Sequence, residues 1–258
     1  MIAPLRELAD SRDLAVTLVE RQLRLRSKRS RLATLWPVLA PFILMALYVF
    51  VFKRVFDVPI ERYPEYLLAG LLPWVFLVQT VPKAMASISA EADIIRKAPF
   101  RYELIPLSMV VSQAYNILIT IAIFIAYLGF VGRVNWVVLP FLIFPLFAIF
   151  TLVAGLSMIL ALVDVYNHDV RWVLGNVLTM WFFLIPILYR PNMVPAAIET
   201  VQTYEPVGLV VGQFRAVLYR GEIDEPFRLV LMLLLSIAVF LISLMVFRRY
   251  STQLPKDV

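Results

Sequence analysis

The chain has 258 residues, of which 62% are hydrophobic and 16% are charged, and its mean hydropathy is +0.84. Because soluble domains contain about 45–50% apolar and about 25% charged residues, this composition excludes a soluble enzyme and a disordered chain. The absence of cysteine excludes disulfides and thiolate metal sites, and the single histidine, His168, argues against a metal centre. The net charge of +6 leaves nucleic acid or an anionic membrane surface as the partner.

The first predicted element is an amphipathic helix that precedes the apolar runs. Leu14, Leu18 and Leu23 lie on one broad apolar arc, and Glu20 lies on the opposite side of the helix. This pattern is typical of a helix that lies in the membrane surface. Such a helix either anchors the chain to lipid or also docks a cytoplasmic partner.

Six stretches without Asp, Glu, Lys or Arg follow, and their length and solid apolar character predict six transmembrane helices. These stretches are Leu32–Phe52, Tyr66–Pro82, Leu104–Gly132, Val134–Val163, Trp172–Tyr189 and Leu229–Phe247. The segments predicted on the same side of the membrane as the N-terminus contain twice as many Lys and Arg residues as the segments on the opposite side. The positive-inside rule therefore predicts that both termini are cytoplasmic, and it explains the basic charge without a nucleic acid.

The predicted fold is an all-α integral membrane protein in three parts. Residues 1–31 form a cytoplasmic N-terminus with the interfacial helix, residues 32–247 form the six-helix membrane domain, and residues 248–258 form a short cytoplasmic tail. Helices rather than barrel strands are expected to cross the membrane, because the apolar runs are solid and do not alternate with period two.

The inner connection between the second and third stretches predicts a short helix within about residues 87–103. Pro99 and Pro106 bracket an element held at an angle to its neighbours. The exposed rings of Phe100 and Tyr102, beside charged residues, are typical of a protein contact. The alternative is a turn that only returns the chain to the bilayer.

The longest outer connection runs from Arg190 to Arg228. It contains two apolar patches, Pro191–Ile198 and Pro206–Phe214, which are too short to cross a bilayer. They predict a re-entrant helical hairpin at about residues 190–220, on the outer side before the last span. The alternative is a plain outer loop.

The sequence lacks the motifs of an energy-coupling or catalytic site. It contains no GxxxxGK[ST] loop, no HExxH and no dinucleotide fingerprint, so no metal or cofactor is expected in the chain. The six stretches carry no ionisable side chain, which disfavours a proton-driven antiporter. Energy for transport would have to come from another protein.

The apolar stretches are rich in aromatic residues and contain a few amides. Many of these rings are expected to face lipid or to pack between helices, yet aromatic faces also stack on the apolar faces of sugars. A neutral, aromatic path would let a long polar chain slide without tight binding. The candidates for such a path are Trp36, Tyr48, Trp74, Phe76, Gln79, Asn116, Trp181 and Phe182.

Several different short motifs occur along the chain in a specific order. They are Arg21–Ser30, Leu35–Pro37, Leu67–Trp74, Ile94–Arg101, Val165–Val170 and Gly212–Arg215. In this order and spacing the chain resembles, essentially end to end, the membrane subunit of type-2 ABC exporters in the branch that exports O-antigen, capsule and teichoic acid. It departs from the family's usual residues at Gln22, at Asn167-His168 and at Glu205.

The resemblance implies a homodimeric membrane path driven by two separate ATP-binding cassette subunits, which would bind ATP and Mg. The cargo would be a lipid-linked polysaccharide moved from the inner to the outer face of the cytoplasmic membrane. The resemblance assigns a coupling and gate helix, with Arg96, Lys97, Pro99, Phe100, Arg101, Tyr102 and Glu103. It assigns a second ATPase contact to Tyr166, His168 and Asp169, and a lipid head-group contact to Arg21, Arg24, Arg26 and Lys28.

Three other functions remain open from the sequence. The first is a type-2 ABC exporter of a small lipophilic drug or of another lipid, which would have the same fold. The second is a membrane glycosyl- or acyltransferase, for which Asp164, His168 and Asp169 form the available polar cluster. The third is an assembly protein without transport activity.

Overall fold

The computed structural model describes residues 16–24, 31–91 and 101–251, without the side chains of residues 31–34. This part of the chain is helical with short connections and contains no strand. Within it, five segments are long and apolar enough to cross a membrane: Leu35–Val55, Tyr63–Met85, Leu104–Phe130, Leu139–Tyr166 and Pro226–Ser251. The chain is therefore an all-helical, multi-pass membrane protein.

We number the helices of the described residues in chain order. They are α1 (16–24), α2 (Arg31–Val49, continued by a wide π-type turn at Phe50–Val55), α3 (Tyr63–Met85), α4 (Ser87–Ala90), α5 (Leu104–Phe130), α6 (Ile143–Tyr166, after a 3-10 turn at Leu139–Leu142), α7 (Val170–Leu184), α8 (Ala196–Tyr204, after a 3-10 turn at Pro191–Met193), α9 (Pro206–Arg215, continued by a π-type turn at Ala216–Arg220) and α10 (Pro226–Ser251).

Helix α3 lies at the centre of the bundle. It contacts α2, α5, α6, α7 and α9, and 78% of its most apolar window is buried, against 11% for the corresponding window of α2. A helix that is apolar on every face is expected inside a bundle rather than at its edge. The peripheral helices α2 and α10 expose large apolar side chains, as expected for surfaces that face lipid or another subunit.

The bundle has two ends that carry different connections. At the first, which we call the junction end, α1 meets the chain after α4, and the start of α5 meets the end of α10 through Glu103 and Arg248. At the second, the hairpin end, α8 and α9 lie beside the α2–α3 connection. Asn135, between α5 and α6, bonds the carbonyl of Gly221 at this end.

Two helix boundaries differ from the predicted apolar stretches for physical reasons. Helix α3 begins at Tyr63 and so includes Glu65, a carboxylate that is buried but paired with Arg133. Helix α7 ends at Leu184 rather than near residue 189, because Pro186 forces Ile185 into an extended conformation. With 15 residues, α7 is about 22 Å long, which is shorter than a bilayer core of about 30 Å.

The predicted hairpin corresponds to two short helices, α8 and α9. The first apolar patch, Pro191–Ile198, contains the 3-10 turn at Pro191–Met193 and the start of α8, which begins at Ala196 after Pro195. Helix α9 matches the second patch, and its side chains Val207, Val210 and Phe214 are fully buried. Helix α9 packs against α3 and α10, so it forms part of the protein core at the hairpin end.

Candidate functional site

The surface helix α1 is tied to the junction end by an ion pair. Arg21 Nη1 donates to Glu91 Oε2 at 2.7 Å, and Leu18 on the same helix is only 5% exposed. Arg24 pairs with Glu20 within α1. Of the four residues predicted to meet lipid head groups, Arg21 has a protein carboxylate as its partner, and Arg26 and Lys28 lie outside the described residues.

Asp164, near the end of α6, joins three elements at the junction end. Its side chain is fully buried and receives two hydrogen bonds from Arg171 on α7, from Nε at 2.5 Å and from Nη2 at 2.6 Å. Ser89 Oγ of α4 donates to Asp164 Oδ2 at 2.9 Å. His168 Nδ1 lies 3.8 Å from Asp164 Oδ1. Because the Arg171 guanidinium binds both oxygens of the Asp164 carboxylate, it fixes the position and the orientation of the two side chains relative to each other.

The predicted second inner contact, Tyr166, His168 and Asp169, lies on the turn between α6 and α7, beside Asp164. His168 and Tyr166 are exposed, and Asp169 begins α7. The geometry does not favour a transferase site here, because Asp164 is fully buried and already bonded to Arg171 and Ser89. A general base needs reach to a substrate proton, which a buried and paired carboxylate lacks.

Glu103, at the start of α5, forms the second ion-pair centre of the junction end. Its side chain is 8% exposed and lies 3.2 Å from both Arg101 Nε and Arg248 Nε. Tyr102 packs against an apolar cluster that includes Ile88 and Phe247. Arg96, Lys97, Pro99 and Phe100, the other residues of the predicted coupling helix, lie outside the described residues.

The described residues that flank segment 92–100 both take part in ion pairs with other helices. Glu91, on one side, is bound to α1, and Glu103, on the other side, is bound to α10. Ser89 adds a link to α6 and, through Asp164, to α7. Polar contacts therefore join the two described sides of this segment to α1, α6, α7 and α10.

Four of the eight predicted path residues form one aromatic cluster where α2, α3 and α7 meet. Tyr48 stacks on Phe182 with ring centroids 5.6 Å apart, and Trp74 lies 5.7 Å from Phe182 and 6.1 Å from Trp181. Edge-to-face and offset contacts of this kind are typical of stable aromatic packing. Phe76 instead contacts Phe150 at 4.9 Å inside the bundle.

The remaining path candidates lie apart from the aromatic cluster. Trp36 is 63% exposed on the surface of α2. Gln79 and Asn116 line a narrow crevice between α2, α3 and α5, and Asn116 Nδ2 donates to Gln113 Oε1 at 2.9 Å. The amides therefore form a polar seam between helices rather than a wide channel within one copy of the chain.

Two charged residues at the hairpin end were not predicted as site residues. Arg215 is buried, and it donates to the carbonyls of Pro186 at 2.6 Å, Ile187 at 2.7 Å and Tyr66 at 3.3 Å. Glu65 is buried and lies close to Arg133 and Arg62. A single arginine within an apolar patch, as at 207–218, is the signal that could have pointed to Arg215.

Glu205 caps the N-terminus of α9. Its Oε1 accepts from the backbone N–H of Gly208 at 2.6 Å, and its Oε2 accepts from Trp181 Nε1 at 3.3 Å. Pro206 follows at the first helical position, where its missing N–H has no cost. Glu205 therefore does what an N-cap side chain does, since it accepts a hydrogen bond from a free N–H group in the first turn of α9.

The described residues thus form a bundle with five helices of membrane length, which is the architecture of a multi-pass membrane protein. No family model matches the sequence. Comparison with curated proteins finds the O-antigen export system permease protein RfbA of Klebsiella pneumoniae, which is 30% identical over 215 residues and 82% of each chain. The Myxococcus xanthus protein of that name is 29% identical over 229 residues, or 87% of each chain. The chain belongs to this family, the permease subunits of type-2 ABC exporters in the polysaccharide-export branch.

Proposed function

We propose that this chain is the membrane half of an ATP-driven exporter that moves a lipid-linked polysaccharide, similar to O-antigen, across the cytoplasmic membrane from inside to outside. Two copies form the path, and two separate ATP-binding cassette subunits bind ATP and Mg and supply the work. Both termini are cytoplasmic, so the junction end faces the ATPase and the hairpin end faces outward. The name of the relatives, O-antigen export system permease, and the lack of a P-loop in this chain support this assignment.

The observation that carries the proposal is the pair of ion-pair centres around residues 92–100. An ATPase that pushes on this connection moves α1 through Glu91 and α10 through Glu103. The turn at 166–169 gives the ATPase a second contact, because Asp164 joins that turn to Ser89 of α4. In this proposal Arg96, Lys97, Pro99, Phe100, Arg101 and Tyr102 transmit the motion that Glu103 anchors.

The aromatic cluster supplies the wall of the path in the proposed dimer. Tyr48, Trp181 and Phe182 join α2 to α7, the two helices with the most exposed large apolar side chains near this cluster. If two copies meet along this side, the cluster borders the space between them. Arg24, Arg26 and Lys28 then lie near the membrane surface, where they contact the anionic head group of the lipid carrier or of membrane lipid.

The hairpin end forms the exit of the path in this proposal. The short α7 and the extended segment after it together form the sixth transmembrane segment. Helices α8 and α9 form a re-entrant hairpin on the outer side of the membrane. Burial of α9 against α3 supports this position, since an interfacial or re-entrant helix must be covered by protein.

A charge-swap experiment in living cells tests the coupling role of α1. Arg21→Glu and Glu91→Arg each place two like charges together, and the double variant restores an ion pair in the opposite orientation. We expect each single variant to lower export by about tenfold at unchanged protein level, and the double variant to recover most of it. The measurement is finished lipid-linked polysaccharide on each side of the inner membrane.

Depletion of the chain provides the reference state for the same measurement. Polymer should accumulate on the inner side and disappear from the outer side when the protein is removed. Unchanged polymer on both sides would discard polysaccharide export. Full export by both single charge variants would instead remove the coupling role from the contact between Arg21 and Glu91.

One observation favours a second function, export of a lipid or of a small lipophilic drug. An apolar cavity of about 340 Å³ lies between α2, α3 and α5, lined by Phe42, Met45, Leu68, Ile123, Phe124 and Tyr127 among others. Its size and lining are typical of a pocket for an apolar ligand. Replacing Leu68 by Trp fills it: a lipid or drug exporter would lose transport, whereas polysaccharide export would continue.

A further inference from the structure

A cavity of about 360 Å³ opens at the hairpin end, on the side of α9 that faces the chain after α7. This volume lies within the range of small-molecule pockets, about 300–1,000 Å³. The cavity lies between α9, the start of α10 and the segment before α8, and no step of the proposed mechanism uses it. Its polar and aromatic lining residues include Tyr66, Arg190, Asn192, Glu199, Thr203, Gln213, Arg215, Tyr219, Arg220, Asp224 and Arg228.

Two of the four arginines in the cavity lining have no carboxylate partner among the described residues. Arg220 pairs with Glu222 at 2.5 Å, and Arg228 lies 3.4 Å from Glu225. Arg190 and Arg215 form no ion pair in the described part of the chain. The cavity therefore offers two arginines without an ion-pair partner, beside the carboxylates of Glu199 and Asp224 in the same lining.

Arg215 is a fixed positive charge beside the cavity. Its three hydrogen bonds go to neutral carbonyls and use three of its five N–H groups, and its guanidinium lies 3.7 Å from the centre of the Tyr66 ring. Complete burial lowers the pKa of Arg215 to about 10, so the group is still protonated at neutral pH. A buried cation without a carboxylate attracts an anion more strongly than a surface lysine does.

A donor in the same cavity lacks a hydrogen-bond partner. Arg228 Nε is buried and forms no hydrogen bond, because the nearby Glu225 carboxylate is badly aligned. Buried donors are normally satisfied, so this group points to a bound acceptor. The lining also offers neutral hydroxyl and amide groups on Asn192, Thr203 and Gln213, and an accepting carboxylate on Glu199.

The cavity also has room for a ligand at the backbone of α9. Gly212 lines it, and a Cβ atom built at this position meets no atom within 4 Å. The rings of Tyr66 and Tyr219, with centroids 5.4 Å apart, form one wall. Aromatic rings, amides and hydroxyls together suit a sugar ring, while unpaired arginines suit an oxyanion on that ring.

We propose that this cavity binds one sugar unit that carries an anionic group, either a phosphate or a carboxylate. Arg190 and Arg215 bind the anion, Arg228 Nε donates to the same unit, and Asn192, Thr203 and Gln213 bind hydroxyl groups. This inference rests on the proposed function, in which the hairpin end is the exit of a polysaccharide exporter. The cavity would hold a charged unit of the emerging polymer and so favour forward movement.

Ligand-observed NMR on the purified chain with its ATPase partner in lipid nanodiscs tests the site directly. The probes are glucose 1-phosphate, glucuronate, glucose and inorganic phosphate. We expect both anionic sugars to bind at least about tenfold more tightly than glucose or inorganic phosphate. We expect Arg190→Gln to weaken the anionic sugars about tenfold and to leave glucose unchanged.

Gly212→Leu is the second variant, because a Cβ at this position meets no atom within 4 Å and the rest of the side chain extends into the cavity. It should abolish binding of all four probes while the melting temperature stays the same. Two matched controls should bind like the unaltered protein. Gly175→Leu makes the same change at a helical glycine that has open space but does not line the cavity, and Arg249→Gln removes an arginine at the junction end.

Each other outcome overturns the inference. Equal affinity for glucose and glucose 1-phosphate would remove the role of the arginines, and equal affinity for inorganic phosphate would remove the role of the sugar. Unchanged binding in Gly212→Leu would place the site elsewhere. Export of polysaccharide by the unaltered protein separates the two ideas: export without probe binding rejects only the cavity, and no export dependent on the unaltered protein rejects the proposed function.

Discussion

Arg215 shows how this chain accommodates a charge inside its core. The guanidinium binds three carbonyl oxygens from two separate segments and lies over the Tyr66 ring, so it joins α9 to α3 and to the segment after α7. Gly70 provides the space, since a Cβ at this position would lie 2.8 Å from Arg215 Nη2. Both residues belong to motifs, at 67–74 and 212–215, that are far apart in the sequence.

Replacing Gly70 by Ala should therefore destabilise the protein. The guanidinium cannot move away without losing its carbonyl partners, so we expect a loss of about 1–3 kcal/mol in the free energy of unfolding. Thermal unfolding of the purified protein in detergent measures this change. Gly212→Ala is the control, because its added methyl group meets open space, and equal stability of both variants would contradict the prediction.

The cap of α9 predicts a dependence of stability on pH. Burial raises the pKa of Glu205 from 4.5 to about 7, although the N–H groups of Gly208 and Val207 and the Trp181 ring lower it in part. The folded protein then holds this proton up to about pH 7, whereas the unfolded chain loses it near pH 4.5. Stability should fall as the pH rises through this interval and stay level above it.

Melting temperatures at pH 5 and pH 8 check this prediction. The unaltered protein should melt at a lower temperature at pH 8, and Glu205→Gln, which cannot titrate, should show a smaller difference. A difference of the same size in both proteins would show that another group is responsible.

At the scale of helices, composition predicts where the membrane-length helices lie, whereas tertiary contacts determine the residues at which these helices begin and end. Apolar runs alone located five helices of membrane length. Helix α3 begins before the apolar stretch because Glu65 is paired with Arg133, which is 68 residues away in the sequence. No local sequence pattern reveals that contact. The early end of α7 was visible in the sequence as Pro186, whose effect on the preceding residue is local.

The same distinction applies to the candidate site. The inner connections, the aromatic residues and the surface helix could be named from charge and periodicity. Their partners could not, because Arg21 meets Glu91 and Glu103 meets Arg248 only after the helices have packed. The hairpin-end cavity was missed for this reason, since its lining comes from segments between residues 66 and 228.

Helices α6 and α10 approach each other closely at Gly155. A Cβ at this position would lie 3.0 Å from Phe240 Cα and 3.1 Å from Phe240 N, both of which are backbone atoms. Gly155→Ala must therefore push the two helices apart, and we expect a loss of about 1–3 kcal/mol in stability. The thermal unfolding assay measures it, with Gly175→Ala as the control on α7; equal melting temperatures would contradict the close contact.

At the scale of the whole molecule, the described surface carries a stripe of large apolar side chains along α2. They follow the spacing of a single helix face: Trp36, Leu39, Ile43, Leu47 and Phe50. This face adjoins the aromatic cluster through Tyr48, which is why we place the partner copy of the proposed dimer here.

Cysteine cross-linking tests this dimer, and the chain offers a clean background because it has no native cysteine. Leu39→Cys or Ile43→Cys should form a disulfide between two copies in native membranes under mild oxidation. Val38→Cys is the control, since Val38 is buried within its own copy at 7% exposure. Cross-links on the exposed face of α10, with none on α2, would move the interface to that helix.

Helix α3 also runs without a break from the hairpin end of the molecule to the junction end. It is one continuous element of 23 residues, about 35 Å long, with Tyr66 against Arg215 at one end and Met85 leading into α4 at the other. A tilt of α3 at one end of the bundle therefore also moves the residues of α3 at the other end. Pro73, midway along, lacks the N–H that would bind the Ala69 carbonyl, and Pro82, near the other end, interrupts the helix hydrogen bonds in the same way. The two ends of α3 can therefore tilt relative to each other only as far as these two proline positions permit.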